Sequence, residues 1–273
     1  MHLYKNLFNL ANRVAVVTGA AGILGSEFSK ALCEFGASVI CIDSDEHALN
    51  ELGKYLSDEY GKNKVMHVLC DISNSKDVRH FVERGIKKFK KIDILLNNAA
   101  TKTNNLSAFF SSFTEYSIDI WREVMSVNLD GMFLVAQAVG REMILNKSGT
   151  IIQTASIYGP FAPDQRIYNE SEYLNQKINT PAVYTASKAG VIGLTKHLSA
   201  LWGEYGVRVN ALCPGGVSSG QNTTFQEKYS ARVPMGRMAE KIDIVGPMLF
   251  LASEASSYVT GQVIFADGGL SVW

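Results

Sequence analysis

The sequence lacks an excess of charge of either sign, because 26 lysines and arginines balance 26 aspartates and glutamates. A neutral net charge gives no electrostatic case for binding nucleic acid or an anionic membrane. It also lacks an apolar run long enough to span a bilayer. The start, "MHLYKNLFNLANR", does not have the basic-then-apolar order of a signal peptide. We therefore expect a cytoplasmic protein with neither a nucleic-acid nor a membrane partner.

Metal-ligand and disulfide patterns are absent from the sequence as well. The cysteines form no C-x-x-C pair, which favours buried, reduced thiols over a metal or redox site. The histidines are scattered without ligand spacing, so we expect no metal site. These residues are Cys33, Cys41, Cys70 and Cys213, and His2, His47, His67, His80 and His197.

What the chain does have is apolar content, 47% of its 273 residues, which is enough for a sizeable core. Short β-branched runs alternate with helical patterns, as in right-handed βαβ units. Several of the runs are apolar on both faces, as in a parallel sheet covered by helices. We predict a single-domain α/β protein over residues 1–273, with a Rossmann-like, doubly wound parallel sheet of about seven strands and helices on both faces.

The predicted elements follow from these patterns. Strands are expected at "RVAVVT", "ASVICID", "KVMHVLCD", "IDILLNNA", "GTIIQTAS", "VRVNALCP" and "GQVIFADGG". Helices are expected near 24–35, 45–59, 75–89, 118–145 and 183–203, and at 239–253 with a disturbance at Gly246-Pro247. Three irregular stretches, 100–117, 157–182 and 214–235, each follow the carboxyl end of a strand. Ligands bind at those ends in open α/β sheets, and loops this long are usually functional.

A glycine-rich turn, "TGAAGILG" at Thr18–Gly25, joins the first strand to the first helix. Gly19 would allow the tight turn, Gly22 would let the backbone approach a ligand, and Gly25 would let the helix pack closely on the sheet. Free N–H groups at the helix start would then face a pyrophosphate. The motif alone fits an ordinary strand-to-helix turn equally well.

The second strand ends in Asp43, 18 residues after Gly25. An acidic residue at this place can accept hydrogen bonds from the adenosine ribose hydroxyls, and it would repel a 2′-phosphate. No Arg or Lys lies between Asp43 and Lys54. The pattern therefore favours NAD over NADP, although Asp43 could instead cap the next helix.

Four polar residues form a candidate catalytic set. In "YTASK", Tyr184 and Lys188 are four residues apart and share one helix face. The Lys188 ammonium could therefore lower the pKa of the Tyr184 phenol, so that the tyrosine could transfer a proton to or from a substrate. The same spacing also occurs by chance on helix surfaces. Ser156 ends the fifth strand, where its hydroxyl could lie beside a substrate oxygen. Asn128 is polar within an apolar helix, so it either satisfies a core backbone group or holds a water near Lys188.

Taken together and in this order, the motifs resemble the short-chain dehydrogenase/reductase family over nearly the whole chain. They are "VTGAAGILG", Asp43, "CDI" at 70–72, "NNAA" at 97–100, Asn128, Ser156, "YTASK", "VRVNALCPGGV" and "YVTGQVIFADGG". The resemblance implies an oxidoreductase that transfers a hydride between NAD(H) and a secondary alcohol or ketone of a small-molecule substrate. It also implies a homotetramer or homodimer that pairs the long helices.

The resemblance implies residue roles as well. Tyr184 would be the general acid/base, and Lys188 would bind the nicotinamide ribose and lower the tyrosine pKa. Ser156 would orient and polarise the substrate oxygen, and Asn128 would hold a water in a proton relay. The implied cofactor-binding residues are Gly19, Gly22, Leu24, Gly25, Asp43, Asp71, Ile72, Asn98, Tyr184, Lys188, Pro214, Gly215, Val217 and Ser219.

The glycine spacing departs from the family pattern. T-G-x-x-G-x-x-G, with Ile23 at the usual middle glycine, resembles the extended branch, which includes sugar-nucleotide epimerases and dehydratases. Those proteins carry an additional C-terminal substrate region. Ala100 also replaces a usual glycine in "NNAA". An epimerase or dehydratase is therefore one alternative, and a non-catalytic NAD-binding protein is another.

The stretch between Ser156 and Tyr184 departs further, because their 28-residue separation is about twice the family's usual gap. This insert, 157–182, is polar and begins beside the expected active site. It faintly resembles family members tied to bacterial surface-sugar and flagellin-modification pathways, and it suits a hydroxylated or anionic, sugar-derived substrate. Within the insert, Arg166 is the residue expected to contact a substrate anion, because a guanidinium can bind carboxylate or phosphate with two hydrogen bonds. A solvated loop or a subunit contact is the alternative.

Overall fold

Seven parallel strands form one sheet in the order β3-β2-β1-β4-β5-β8-β9 in the computed structural model, which describes residues 4–273 except the side chain of Lys5. The strands are β1 Val14–Thr18, β2 Ser38–Asp43, β3 Val65–Leu69, β4 Ile94–Asn97, β5 Gly149–Thr154, β8 Val207–Pro214 and β9 Val263–Ala266. A separate antiparallel hairpin pairs β6 Glu172–Tyr173 with β7 Gln176–Lys177.

Helices cover both faces of the sheet. They are α1 Ile23–Glu34, α2 Glu46–Tyr60, α3 Ser75–Phe89, α4 Leu106–Phe109, α5 Ile118–Met125, α6 Met132–Asn146, α7 Ala182–Trp202, α8 Thr223–Ser230 and α9 Lys241–Ala252. One apolar core joins the sheet to α1, α2 and α9, and a second joins it to α3, α6 and α7. Every residue of β1 is buried, as a strand covered on both faces requires. The predicted fold class is confirmed.

The sheet order creates the place where a ligand can bind. β1 lies at the centre, with β2 and β3 on one side and β4 and β5 on the other. The connections after β1 and β4 therefore leave in opposite directions, which opens a crevice at their carboxyl ends. The glycine-rich turn follows β1 directly, so the topology brings it to this crevice.

The long helix predicted over 118–145 is interrupted in the structure. A π-helical turn, Ser126–Gly131, separates α5 from α6. Gly131 packs on Ile72 there, since a Cβ at this glycine would lie 2.8 Å from the Ile72 Cδ1 atom. The extra residue of the π turn places Asn128 inward, and such turns are frequent at functional sites.

Two other expectations also differ from the structure. Helix α9 runs through Gly246-Pro247 without the expected break, because its Ile244, Met248 and Leu251 side chains are fully buried against the sheet and hold it in place. The three stretches predicted as irregular contain short elements, namely α4, the β6–β7 hairpin and α8. Within residues 4–273, no helix combines the length and the hydrophobicity that crossing a membrane demands.

Candidate active site

The glycine-rich turn has the backbone geometry that the sequence predicts. Gly19 has φ +61°, and a Cβ there would lie 2.8 Å from the Ala99 Cα atom. At Gly25 a Cβ would lie only 1.9 Å from the Gly19 carbonyl oxygen, so α1 packs directly on the turn. Gly22 is the N-cap of α1 and supplies no side-chain cap. The first N–H groups of α1 are therefore open to the crevice and fit the pyrophosphate of a dinucleotide.

Asp43 lies at the end of β2 and faces the same crevice. Its Oδ2 atom accepts a hydrogen bond from the Ala21 N–H at 2.9 Å, and its Oδ1 atom accepts from the Asp45 N–H at 3.1 Å. The N-cap of α2 is Asp45, whose side chain accepts from the Ala48 N–H. Asp43 is thus not the helix cap, and its carboxylate keeps lone pairs for ribose hydroxyls.

Three further predicted cofactor residues line the crevice, but each also has a structural partner. The Asp71 carboxylate accepts from the backbone and hydroxyl of Ser73, at 2.9 and 2.7 Å. Ile72 is buried against the π turn. The Asn98 side-chain amide donates to the Thr18 carbonyl at 3.2 Å, which joins β4 to the glycine-rich turn.

The segment after β8 closes the other end of the crevice. The Gly215 N–H donates to the Ala266 carbonyl at 2.9 Å, and a Cβ at Gly215 would lie 2.8 Å from the Asp267 Cα atom. Ser219 is held by Gln221, whose amide accepts from the Ser219 N–H and donates to its hydroxyl. The predicted Pro214, Gly215, Val217 and Ser219 all line the crevice.

Ser156, Tyr184 and Lys188 line one cleft of about 930 Å³ together with the glycine-rich turn. Tyr184 and Lys188 lie one turn apart near the start of α7, and the Lys188 Nζ atom is 5.9 Å from the Tyr184 ring centroid. The Nζ atom donates to the Thr154 carbonyl at 2.8 Å, which holds the lysine against the end of β5. Ser156 follows that strand end by two residues and is buried.

The expected lowering of the Tyr184 pKa is not found in this structure. Burial raises that pKa, and the neighbouring Ser156 hydroxyl opposes the shift. Burial also lowers the pKa of Lys188 to about 8, because desolvation disfavours the charged ammonium. The physical cause is desolvation of the phenolate, which is the largest contribution to the Tyr184 pKa shift, while the Lys188 ammonium donates to the Thr154 carbonyl.

Asn128 does not line the cleft but holds one of its walls. Its Oδ1 atom accepts from the Thr101 N–H at 2.7 Å, and its Nδ2 atom donates to the Thr101 carbonyl at 3.3 Å. The side chain therefore satisfies a backbone segment, which is one of the two expectations for this buried polar residue. Gly25 also lies outside the cleft lining, directly behind the turn that it supports.

The insert packs on the segment after β8, and the two together form a cap over one end of the cleft. We define the cap as residues 164–177 plus 221–232. The Tyr168 ring stacks on Phe225 with centroids 5.6 Å apart, and the Asn222 N–H donates to the Glu172 carbonyl at 3.0 Å. Asp164 pairs with Arg232 at 2.8 Å. The insert is therefore not a free loop, because it packs on the segment after β8.

Arg166 is not brought to the cleft, which corrects its predicted role as an anion contact. Its side chain is 88% exposed and pairs with the Asp164 carboxylate, with Nε and Nη2 donating at 2.9 and 2.8 Å. Arg166 and Arg232 together hold the pKa of Asp164 at about 2. The guanidinium finds its anion two residues away in the chain, and its exposed side chain lies outside the cleft lining.

Sequence reasoning missed several residues that line the cap end of the cleft. They are Lys102, Tyr158, Tyr168, Tyr173, Asn179, Thr180, Gln221, Phe225 and Tyr229. A compositional signal exists only for Tyr158, Tyr168 and Tyr173, because the insert is rich in tyrosine and begins directly after Ser156. Which tyrosines turn inward depends on how the insert packs against α8, and that contact is not local in sequence.

The four cysteines are free and buried, as predicted. Burial raises the pKa of each thiol to about 12, so all four are protonated at neutral pH. Between Tyr4 and Trp273 no group of three or more His, Cys, Asp or Glu side chains is arranged to hold a metal ion. His2 lies outside the described residues.

Comparisons with known proteins match this geometry. A family profile described as enoyl-(acyl carrier protein) reductase matches residues 19–271. Galactitol 2-dehydrogenase (L-tagatose-forming) of Cereibacter sphaeroides is 33% identical over 276 residues, which cover 99% of both chains.

Two solved structures are similar over almost the full length. A gluconate 5-dehydrogenase of Burkholderia cenocepacia, in complex with NADP and tartrate, has a TM-score of 0.85 and 31% identity over 98% of each chain. A short-chain dehydrogenase of Leptospira borgpetersenii with bound NAD+ has a TM-score of 0.83 and 33% identity, covering 96% of this chain and 94% of that one.

One assignment follows from the glycine-rich turn, from Ser156, Tyr184 and Lys188, and from these similarities. The residues around the cleft fit a nicotinamide dinucleotide. The dehydrogenases named above match this chain over almost their whole length. The chain belongs to the short-chain dehydrogenase/reductase family and is an oxidoreductase that transfers a hydride between a nicotinamide cofactor and an alcohol or ketone.

Proposed function

We propose that the protein is an NAD-dependent dehydrogenase or ketone reductase of the cytoplasm that acts on a sugar-derived alcohol. One observation carries this proposal: a single cleft is lined by Ser156, Tyr184 and Lys188 and by a glycine-rich turn whose shape fits a pyrophosphate. The similarity to galactitol and gluconate dehydrogenases supports the choice of substrate class.

The chain offers a complementary surface along the whole cofactor. The open N–H groups of α1 would hold the pyrophosphate, Asp43 would accept from the adenosine ribose, and Lys188 would reach the nicotinamide ribose. When bound, NAD(H) supplies the hydride chemistry. The acidic Asp43 lies where a 2′-phosphate would need a cation, which supports NAD over NADP.

Tyr184 would transfer the proton of the reaction at its phenol oxygen. Its raised pKa keeps the hydroxyl protonated at neutral pH, which suits donation to a ketone oxygen. Removing a proton from an alcohol needs the phenolate, and Lys188 is the nearby cation that would stabilise that charge. Ser156 would hold the substrate oxygen in place, because its hydroxyl lies in the cleft beside Tyr184.

The cap end of the cleft supports a hydroxylated substrate. Tyr158, Tyr168, Tyr173 and Tyr229 combine aromatic faces with hydroxyl groups there. Such side chains can cover the apolar face of a sugar and still bond its hydroxyls, since tyrosine is amphipathic. A long acyl chain would fit these side chains less well, because it has no hydroxyl groups to bond theirs.

An assay with a panel of polyols, hydroxy acids and sugar phosphates tests this function. NADH should form in proportion to the alcohol consumed. An epimerase or dehydratase, favoured only by the glycine spacing, would convert a substrate without net NADH. A non-catalytic NAD-binding protein would bind the cofactor without turnover, although here every position of the expected catalytic set is filled.

The first prediction concerns cofactor choice. NAD(H) should bind more tightly than NADP(H), and Asp43→Asn should narrow that gap by about tenfold, the effect of losing one charge-assisted hydrogen bond. Asparagine keeps an oxygen for the Ala21 N–H, so the turn should stay intact. Fluorescence titration of both reduced cofactors measures the effect.

A neighbouring carboxylate provides the control for this substitution. Asp45→Asn keeps the cap of α2, because asparagine caps helices as well as aspartate does, and it should change the NAD(H) affinity far less. Tighter binding of NADP(H) by the native protein would contradict the assignment.

We also propose a homo-oligomer, a homotetramer or homodimer, that pairs the long helices. Phe133 and Leu145 on α6 and Leu201 on α7 are exposed, and burying them against a second copy would remove apolar surface from water. Sedimentation velocity at micromolar concentration should show a dimer or tetramer. A single monomeric species would refute the proposal.

A further inference from the structure

Lys102 lies in the wall of the cleft that follows β4. The Oδ1 and Nδ2 atoms of Asn128 bond the backbone of the preceding residue, Thr101. This wall is therefore fixed to the π turn that contains Asn128. The Lys102 side chain is open to the cleft, and its Nζ atom lies 4.2 Å from the ring centroid of Tyr173. That distance is typical of a cation–π contact, which orients the ammonium.

Tyr173 belongs to the cap and is itself held in place. It pairs with Gln221 through an isolated backbone bridge, and Glu172 beside it accepts from the Asn222 N–H. Lys102 therefore sits between two supported walls, the segment after β4 and the cap. Both walls also line the cleft that contains Tyr184.

The ammonium of Lys102 has no anionic partner among residues 4–273, where every ion pair within 4.0 Å involves other groups. The acidic residues that line the cleft are Asp43 at the end of β2, Asp45 after it, Asp71 after β3, and Glu123 on α5. The residue as a whole is exposed toward the cleft, while nearby protein around its ammonium lowers the Lys102 pKa. The cation is therefore accessible to a ligand and lacks a counter-charge, which a bound anion would supply.

We propose that Lys102 binds a carboxylate or phosphate group of the substrate, so that the enzyme acts on an acidic sugar derivative in preference to a neutral polyol. This inference rests on the proposed function, because it places the substrate in the same cleft. The ammonium acts as a point charge that accepts either anion, and Tyr173 restricts where it can point.

Kinetics on three compounds with the same six-carbon hydroxylated chain test the inference: D-gluconate, D-sorbitol 6-phosphate and neutral D-sorbitol. The two anions distinguish a carboxylate site from a phosphate site. Lys102→Met should raise the KM of the preferred anion by about tenfold or more, since it removes a charge-assisted hydrogen bond. The KM of D-sorbitol and the kcat values should change little, and Lys102→Arg should retain most of the preference.

The matched control is Lys177→Met, which removes an exposed lysine of the hairpin that does not line the cleft. It should leave all three KM values unchanged. Equal losses for charged and neutral compounds in Lys102→Met, or a native enzyme that prefers D-sorbitol, would overturn the inference.

Calorimetry separates a failure of this inference from a failure of the proposed function. With NADH bound, D-gluconate and D-sorbitol 6-phosphate can be titrated without turnover, because the reduced cofactor cannot oxidise them. Anion binding that is lost in Lys102→Met would support the subsite even if no polyol is turned over. NADH binding without any anion preference would reject the subsite and leave the oxidoreductase assignment in place.

Discussion

Replacing Tyr184 by phenylalanine should lower kcat by about 10²- to 10⁴-fold, the usual contribution of a positioned general acid/base. The substitution removes one hydroxyl from a ring that remains packed beside Lys188, so the cleft should keep its shape. Cofactor affinity should therefore stay within a few-fold of the native value. Steady-state kinetics and fluorescence titration of NADH measure the two effects separately.

The pH dependence provides a second readout for Tyr184. Alcohol oxidation needs the phenolate, and burial holds the Tyr184 pKa above its ordinary value. The rate of oxidation by the native enzyme should therefore increase as pH rises, whereas ketone reduction should be favoured at lower pH. The residual activity of Tyr184→Phe should lose this dependence.

Ser187→Ala is the matched control, because it also removes one hydroxyl from α7. The Ser187 hydroxyl donates only to the Tyr184 carbonyl, at 2.8 Å. Ser187 does not line the cleft, so its variant should keep nearly native activity. If Tyr184→Phe also kept nearly native activity, another group would have to transfer the proton and the proposed mechanism would be wrong.

Gly25→Ala should give the largest loss of stability among single-methyl additions. The new Cβ would lie 1.9 Å from the Gly19 carbonyl oxygen and 2.8 Å from the Gly19 carbonyl carbon. Both atoms are backbone and cannot rotate away, so α1 or the glycine-rich turn must move. We expect a cost of about 3 kcal/mol or more, at the upper end of overpacking penalties.

Because the displaced turn is also the proposed pyrophosphate site, NAD(H) affinity should fall together with the melting temperature. Differential scanning calorimetry and cofactor titration measure the two losses. Gly193→Ala is the control, since a Cβ at Gly193 on α7 meets nothing within 4 Å. In a helix interior that change should be neutral or stabilise by up to about 1 kcal/mol. A Gly25→Ala protein as stable as Gly193→Ala, with native NAD(H) affinity, would contradict this account of the turn.

Much of the fold could be predicted because its determinants are local. Strands buried on both faces appear as short apolar runs, and helix starts are marked by capping residues such as Asp45 and Asn74. The order of strands and helices then restricts the connections to right-handed crossovers. The central position of β1, and with it the crevice at the glycine-rich turn, follows from these rules and from the resemblance to a known family.

The catalytic set could be predicted in part for the same reason. Tyr184 and Lys188 are one helical turn apart, so their common face follows from the spacing alone. Their protonation does not follow from it. Whether the ammonium or desolvation dominates the Tyr184 pKa depends on how deeply α7 packs, and in this structure burial prevails.

The sequence by itself thus determined the parallel sheet, the glycine-rich turn and the spacing of the reactive residues, since each depends on neighbours within one or two elements. Tertiary structure decided the rest. Packing of the insert on α8 turned Tyr168 and Tyr173 inward, while Asp164 took Arg166 as its partner at the surface. The same packing left the Lys102 ammonium facing the Tyr173 ring. The Asp164–Arg166 pair is close in sequence, but the contacts of Tyr168 with Phe225 and of Lys102 with Tyr173 join segments far apart in the chain, and no local pattern records them.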